Sequence, residues 1–127
     1  MKYVMIALGG GVGAVLRYLI SGIAHRFFGS TFPWGTLTVN LLGAFFIGFL
    51  WAIFEKTIVP VSARLFILVG LLGALTTFST YSLETFNLLR DGEIRLALTN
   101  IFLNNFLSIA LVFVGIGLAG LLLSSLK

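Results

Sequence analysis

Hydroxyl groups crowd one short stretch of an otherwise apolar sequence. Six of the seven residues at 76–82 are Ser, Thr or Tyr, and a carboxylate follows at Glu84. A lipid bilayer has no water to satisfy such groups, so each must be buried against protein or must line a path. Hydroxyls are neutral donors, which can meet a dehydrated anion without trapping it as a full positive charge would. The stretch therefore predicts a place where a small anion crosses a membrane.

Helical spacing sorts the side chains of this stretch onto two neighbouring faces. Thr77, Thr80 and Glu84 lie at i, i+3 and i+7 and share one face. Phe78 and Tyr81 are also three residues apart and share the next face. The edge of an aromatic ring carries positive partial charge, and Phe78 alone of the 13 Phe residues lies in the polar stretch. Phe78 is therefore a candidate to contact an anion.

Two further sets of polar side chains lie within apolar segments. Asn40 is either an interhelical hydrogen-bond donor or a donor to an ion. Asn100, Asn104 and Ser108 follow each other at four-residue spacing and form a stripe on one helix face. That stripe is either a seam between helices or, if it faces Glu84 and the threonines, part of a pore lining.

The composition indicates an integral membrane protein. Of the 127 residues 59% are hydrophobic and 9% are charged, whereas soluble domains carry about 25% charged residues. A spanning helix needs roughly 20 residues, so we predict one all-α domain over residues 1–127 with four transmembrane helices. We expect the first of these to be retained rather than cleaved as a secretion signal. The predicted spans are residues 3–27, 33–54, 64–89 and 95–124.

The same composition disfavours several classes of function. The sequence has no Cys, so it has no disulfide and no thiolate metal site. Its eight Lys and Arg residues are scattered, which argues against binding to nucleic acid. Glu84 is the only carboxylate within a span and His25 is the only His, so paired acid–base catalysis has no partner residue. We therefore predict that the protein is not an enzyme.

Small residues and one cation mark the first three spans. Gly9 and Gly13 form a small-xxx-small pair that lets two helix backbones approach, as do Ala44 and Gly48. Arg17 lies within the first span, where it either extends to the interface or points into a water-filled vestibule. The third span is expected to break near residues 73–80, because its crowded hydroxyls compete for backbone partners. Broken helices expose backbone carbonyls that suit bound ions.

The distribution of cations gives no clear orientation in the membrane. With four spans, one side carries four cations and the other carries three, counting Lys2, Lys56, Arg64 and Lys127 against Arg26, Arg90 and Arg95. The positive-inside rule requires a clear excess to set orientation. A chain without that excess can insert both ways, which predicts an antiparallel homodimer.

Residues 76–82, together with residues 34–43 and the Gly9, Gly13 and Arg17 pattern, resemble the Fluc (CrcB-type) fluoride ion channels of bacteria. The resemblance covers the length of the chain and the order of its motifs. It implies a dual-topology homodimer in the bacterial inner membrane, surrounded by lipid, with two antiparallel pores. It also implies passive export of fluoride, which lowers cytoplasmic fluoride and gives resistance.

The resemblance also implies roles for particular residues. A structural sodium ion (Na+) at the dimer interface would be held by the backbone carbonyls of Gly73 and Thr76. The aromatic fluoride ligands fall on Phe78 and Tyr81, although the usual pattern has Phe at the second position, so the Tyr81 hydroxyl must find a partner. The remaining fluoride-pore candidates are Asn40, Thr80, Glu84, Asn104, Ser108 and, in the vestibule, Arg17.

A small dual-topology proton-coupled multidrug exporter is the main alternative. The length, number of spans and charge balance fit it equally well. Such exporters resemble one another in having an essential carboxylate in the first helix. Residues 3–27 contain no carboxylate, and Glu84 instead follows the run of hydroxyls.

Overall fold

Four apolar helical segments, without any strand, make up the fold, and the third segment is divided into two helices. A computed structural model describes all 127 residues and has helices α1 (Lys2–Phe28), α2 (Trp34–Lys56), α3 (residues 61–75), α4 (Phe78–Arg90) and α5 (Ile94–Ser125). The third of the four apolar segments is Val61–Arg90, which contains α3 and α4, and each of the four is long and apolar enough to cross a membrane. The predicted all-α, four-span membrane fold is therefore confirmed.

Glycines bring α1 into direct backbone contact with α3. A Cβ atom at Gly9 would overlap the carbonyl of Phe66, and one at Gly13 would overlap the carbonyl of Leu71. From the other side, a Cβ atom at Gly70 would lie 2.7 Å from the Ile6 carbonyl oxygen. Only glycine permits this approach, which confirms the predicted packing role of the Gly9 and Gly13 pair.

A second glycine contact joins α2 to α5. A Cβ atom at Gly48 would overlap the Val112 carbonyl, and one at Gly115 would lie 2.8 Å from the Phe49 nitrogen. Gly48 thus has the predicted packing role, while Ala44, its predicted partner, lines a cavity. These two seams fix α1 on α3 and α2 on α5, and so set where the polar side chains of α2 and α5 can meet.

Two segments have wider, π-helical turns, which periodicity did not predict. One is Leu65–Leu72 in α3 and the other is Leu103–Leu107 in α5. Short π-helical turns are often found at functional sites. The second contains Asn104 and Asn105, and both of these neighbouring side chains make hydrogen bonds to other helices.

Thr76 and Thr77 separate α3 from α4. Their backbones are extended, with φ and ψ of −84° and 157° at Thr76 and −150° and 119° at Thr77. The non-helical part is thus narrower than the expected range of 73–80. Thr77 then caps α4, since its side-chain oxygen accepts a hydrogen bond from the Thr80 nitrogen at 3.2 Å.

Candidate ion pathway

Asn40 binds the backbone at the junction of α3 and α4. Its Oδ1 accepts from the Thr77 nitrogen at 2.8 Å, and its Nδ2 donates to the Thr77 carbonyl at 3.1 Å. A residue that leaves helical geometry must find other partners for these two backbone groups. The Asn40 amide provides both, which ties α2 to the junction.

From Asn40 a series of hydrogen bonds runs through α5 and back to α4. Asn40 donates to Asn104 Oδ1 at 2.8 Å, and Asn104 donates to Asn100 Oδ1 at 2.8 Å. Asn100 donates to Thr85 Oγ1 at 2.9 Å, and Thr85 donates to the Tyr81 carbonyl at 2.8 Å. Aligned bonds of this kind polarise one another. Asn100 and Asn104 therefore form an interhelical seam, one of the two alternatives for the stripe.

Both N–H groups of Asn40 are used in this arrangement, one by Thr77 and one by Asn104. Asn40 is thus observed as an interhelical hydrogen-bond donor, one of the two roles considered for it. A role as an ion donor stays a prediction, and it requires an anion to replace one of these two acceptors.

Most of the predicted pore and sodium residues line one cavity of about 370 Å³, here called the aromatic cavity. Its wall includes Asn105 of α5, which the sequence did not single out. The Ser108 Oγ atom is buried and has no hydrogen-bond partner. The predicted residues in this cavity are Asn40, Gly73, Thr76, Phe78, Tyr81, Asn104 and Ser108.

The two aromatic side chains of this cavity differ in exposure. Phe78 is 73% exposed on the single chain, whereas Tyr81 is 7% exposed. Their rings meet edge to face, with centroids 5.2 Å apart and planes at 77°. The Tyr81 hydroxyl, which needs a partner, accepts a hydrogen bond from Asn105 Nδ2 at 2.8 Å.

The remaining predicted residues line a second cavity of about 760 Å³, here called the charged cavity. It contains Arg17, Thr80 and Glu84, so the vestibule alternative for Arg17 fits the structure.

Thr36 donates to Glu84 Oε1 at 2.7 Å, while Glu84 Oε2 is buried without a partner. Thr36 lies one helical turn before Asn40, and that spacing is the signal that could have identified it as a site residue. His25 also lines this cavity.

Thr77 lines both cavities, so they adjoin at the junction of α3 and α4. The sequence placed Thr77 on the face of Thr80 and Glu84 but did not predict its capping role. No group of three or more His, Cys, Asp or Glu side chains could hold a metal ion. The aromatic cavity is lined by neutral side chains, whereas Arg17, His25 and Glu84 line the charged cavity.

These features define a class of small four-span membrane protein with two adjoining cavities between its helices. Residues 4–116 match the protein family described as "CrcB-like protein, Camphor Resistance (CrcB)". The chain belongs to the CrcB family, which confirms the resemblance found in its motifs.

Proteins named "Fluoride-specific ion channel FluC" are among its relatives. The one from Aquifex aeolicus is 50% identical over 111 residues, which are 87% of this chain and 90% of the relative. The one from Salinibacter ruber is 46% identical over 97% of this chain and 92% of the relative. The one from Magnetococcus marinus is 45% identical over 91% of this chain and 95% of the relative. This membership confirms that the chain is not an enzyme, and it does not favour the multidrug exporter.

Proposed function

We propose that this protein is a fluoride-selective ion channel that lets fluoride leave the cell passively and so lowers cytoplasmic fluoride. The observation that carries the proposal is membership of a family whose members, 45–50% identical over most of the chain, are named fluoride-specific channels. The two cavities that adjoin at Thr77 support it.

The residues of the path suit a dehydrated anion. Ring edges at Phe78 and Tyr81, hydroxyls at Thr80 and Ser108, and the Asn40 amide can all meet negative charge. None of these groups is a cation, so binding stays weak enough for release, as conduction requires. Arg17 in the charged cavity would raise the local anion concentration at the entrance.

The functional unit that we propose is an antiparallel, dual-topology homodimer with two pores in the bacterial inner membrane. The cation count of four against three supports insertion in both orientations. The 73% exposure of Phe78 supports a partner chain beside the aromatic cavity. A reporter fused to the C-terminus should be found on both sides of the membrane, and detection on one side only would contradict the dual topology.

A structural sodium ion is part of the proposal, and the third span fits one. Because the Thr77 nitrogen donates to Asn40, the Gly73 carbonyl lacks the donor that a continuous helix would give it. Gly73 is also exposed on the single chain. Backbone oxygens of Gly73 and Thr76 would hold the ion, whose charge would join the two chains at their interface. Purification without sodium should lower the melting temperature, and an equal melting temperature would count against the site.

Growth in fluoride tests the proposed role in cells. A bacterial strain that has lost its own fluoride export should grow in fluoride-containing medium when it expresses this chain. An empty vector and the Phe78→Ile variant, made at equal protein levels, are the controls. Failure of the wild-type chain to restore growth, despite membrane expression, would count against fluoride export.

Replacement of Glu84 by Gln separates a passive channel from a proton-coupled exporter. The Gln side chain keeps the shape of Glu84 and can still accept the Thr36 hydrogen bond. A passive channel needs no protonation cycle, so fluoride flux in liposomes should stay within about threefold of wild type, equivalent to about 0.6 kcal/mol. Complete loss of flux in a folded Glu84→Gln protein would instead indicate an essential proton carrier.

A further inference from the structure

We propose that the phenolic O–H of Tyr81 is an anion donor in the aromatic cavity, held in place by Asn105 and assisted by the Ser108 hydroxyl. The inference rests on the proposed function, because it assigns a further binding group to the same pathway. Its ligand is a small monovalent anion that accepts strong hydrogen bonds, as fluoride does. This role for the hydroxyl is separate from the positive ring edge.

The orientation of the Asn105 amide decides the direction of its bond to Tyr81. Asn105 Nδ2 lies 2.9 Å from the Ile101 carbonyl oxygen and 2.8 Å from the Tyr81 hydroxyl. A carbonyl can only accept, so the Asn105 atom that faces Ile101 must be the nitrogen. That nitrogen has two hydrogens, one for each neighbour. The Tyr81 oxygen therefore accepts a hydrogen bond from Asn105.

An oxygen that accepts from Asn105 keeps its own proton for another partner. The structure shows no protein acceptor for the Tyr81 proton, since Asn105 Nδ2 is the sole hydrogen-bond partner of that hydroxyl. Tyr81 and Asn105 both line the aromatic cavity, and the Tyr81 ring is 7% exposed and packed edge to face on Phe78. The proton is thus available within the cavity on a ring that cannot easily turn away.

Ser108, which lines the same cavity, carries a second hydroxyl, and this hydroxyl has no hydrogen-bond partner. Its Oγ atom is buried, and Ser108 lies three residues after Asn105 on α5. Residues at this spacing are neighbours on a helix surface. Buried polar atoms are nearly always paired, so an unpaired hydroxyl on a residue that lines this cavity is a candidate to donate to a ligand. An anion would accept from both Tyr81 and Ser108.

The Tyr81→Phe variant removes the donor and keeps the ring. We expect its half-saturating fluoride concentration, measured as initial flux into liposomes, to rise about tenfold, because hydrogen bonds to charged partners are among the stronger ones. The maximal flux should change little, since the ring edge remains. Tyr3→Phe is the matched control, because Tyr3 is 87% exposed and lies outside both cavities, and it should behave as wild type.

Asn105→Leu tests the positioning role in both backgrounds. In the wild-type background, Asn105→Leu should raise the half-saturating fluoride concentration, because the Tyr81 hydroxyl loses its fixed orientation. In the Tyr81→Phe background it should add nothing, because Asn105 acts through a hydroxyl that is no longer present. An equal increase in both backgrounds would overturn the positioning role.

The outcomes separate this inference from the proposed function. A Tyr81→Phe protein with wild-type half-saturation and normal flux would overturn the donor role while leaving the fluoride channel intact. Absence of fluoride flux from the folded wild-type protein would overturn the proposed function itself.

Discussion

Replacement of Asn40 by Asp should reduce fluoride flux about a thousandfold. A carboxylate about 4 Å from the anion path costs roughly 4 kcal/mol at the effective dielectric constant of a protein, and each 1.4 kcal/mol corresponds to a factor of ten. The carboxylate would also face the Thr77 carbonyl and Asn104 Oδ1, to which the Asn40 amide now donates. The measurement is initial fluoride efflux from liposomes at equal protein density.

Asn87→Asp is the matched control for this change. Asn87 lies on α4 outside both cavities, so the same charge there should leave efflux near the wild-type rate. Gel filtration and a melting curve must show that the Asn40→Asp protein is folded. Wild-type efflux from a folded Asn40→Asp protein would exclude Asn40 from the path.

Replacement of Phe78 by Ile should abolish most conduction and leave the fold intact. Ile retains apolar bulk but has no ring edge to meet an anion and no edge-to-face contact with Tyr81. Loss of a ligand of this kind should lower efflux about ten- to a hundredfold, in line with about 1.5–3 kcal/mol for an interaction with a charged group. Because Phe78 is 73% exposed on the chain, folding of each chain should be little affected.

Phe113→Ile provides the control for Phe78→Ile. Phe113 is 71% exposed on α5 and lines neither cavity, so its replacement tests the loss of an exposed ring away from the path. It should leave efflux unchanged. Equal efflux from the Phe78 and Phe113 variants would remove Phe78 from the ion path.

The sequence predicts the helices and their glycine seams because both have strong local signals. Long apolar runs fix the four spans, and glycine spacing at Gly9 and Gly13 identifies the face of α1 that meets α3. The polar residues were also recognisable, since such side chains are rare in a membrane. Their division between two cavities depends on how α2, α4 and α5 meet, and local spacing does not contain that information.

Backbone interactions explain most of what the sequence did not predict. The partners of Asn40 at Thr77 are a backbone nitrogen and a backbone carbonyl, which every residue type has. The π-helical turn at Leu103–Leu107 has no side-chain signature either, yet Asn104 and Asn105 within it bond to two different helices. Asn105 was missed because its role depends on Tyr81, 24 residues earlier in the chain.

Fluoride efflux from potassium-loaded liposomes tests the central claim most directly. The purified protein is reconstituted, valinomycin releases potassium to carry the compensating charge, and chloride serves as the control anion. The account predicts rapid fluoride release without chloride release. Release of both anions at similar rates would contradict fluoride selectivity. Release of neither, from protein shown to be folded, would contradict a channel and favour tests of proton-coupled cation transport.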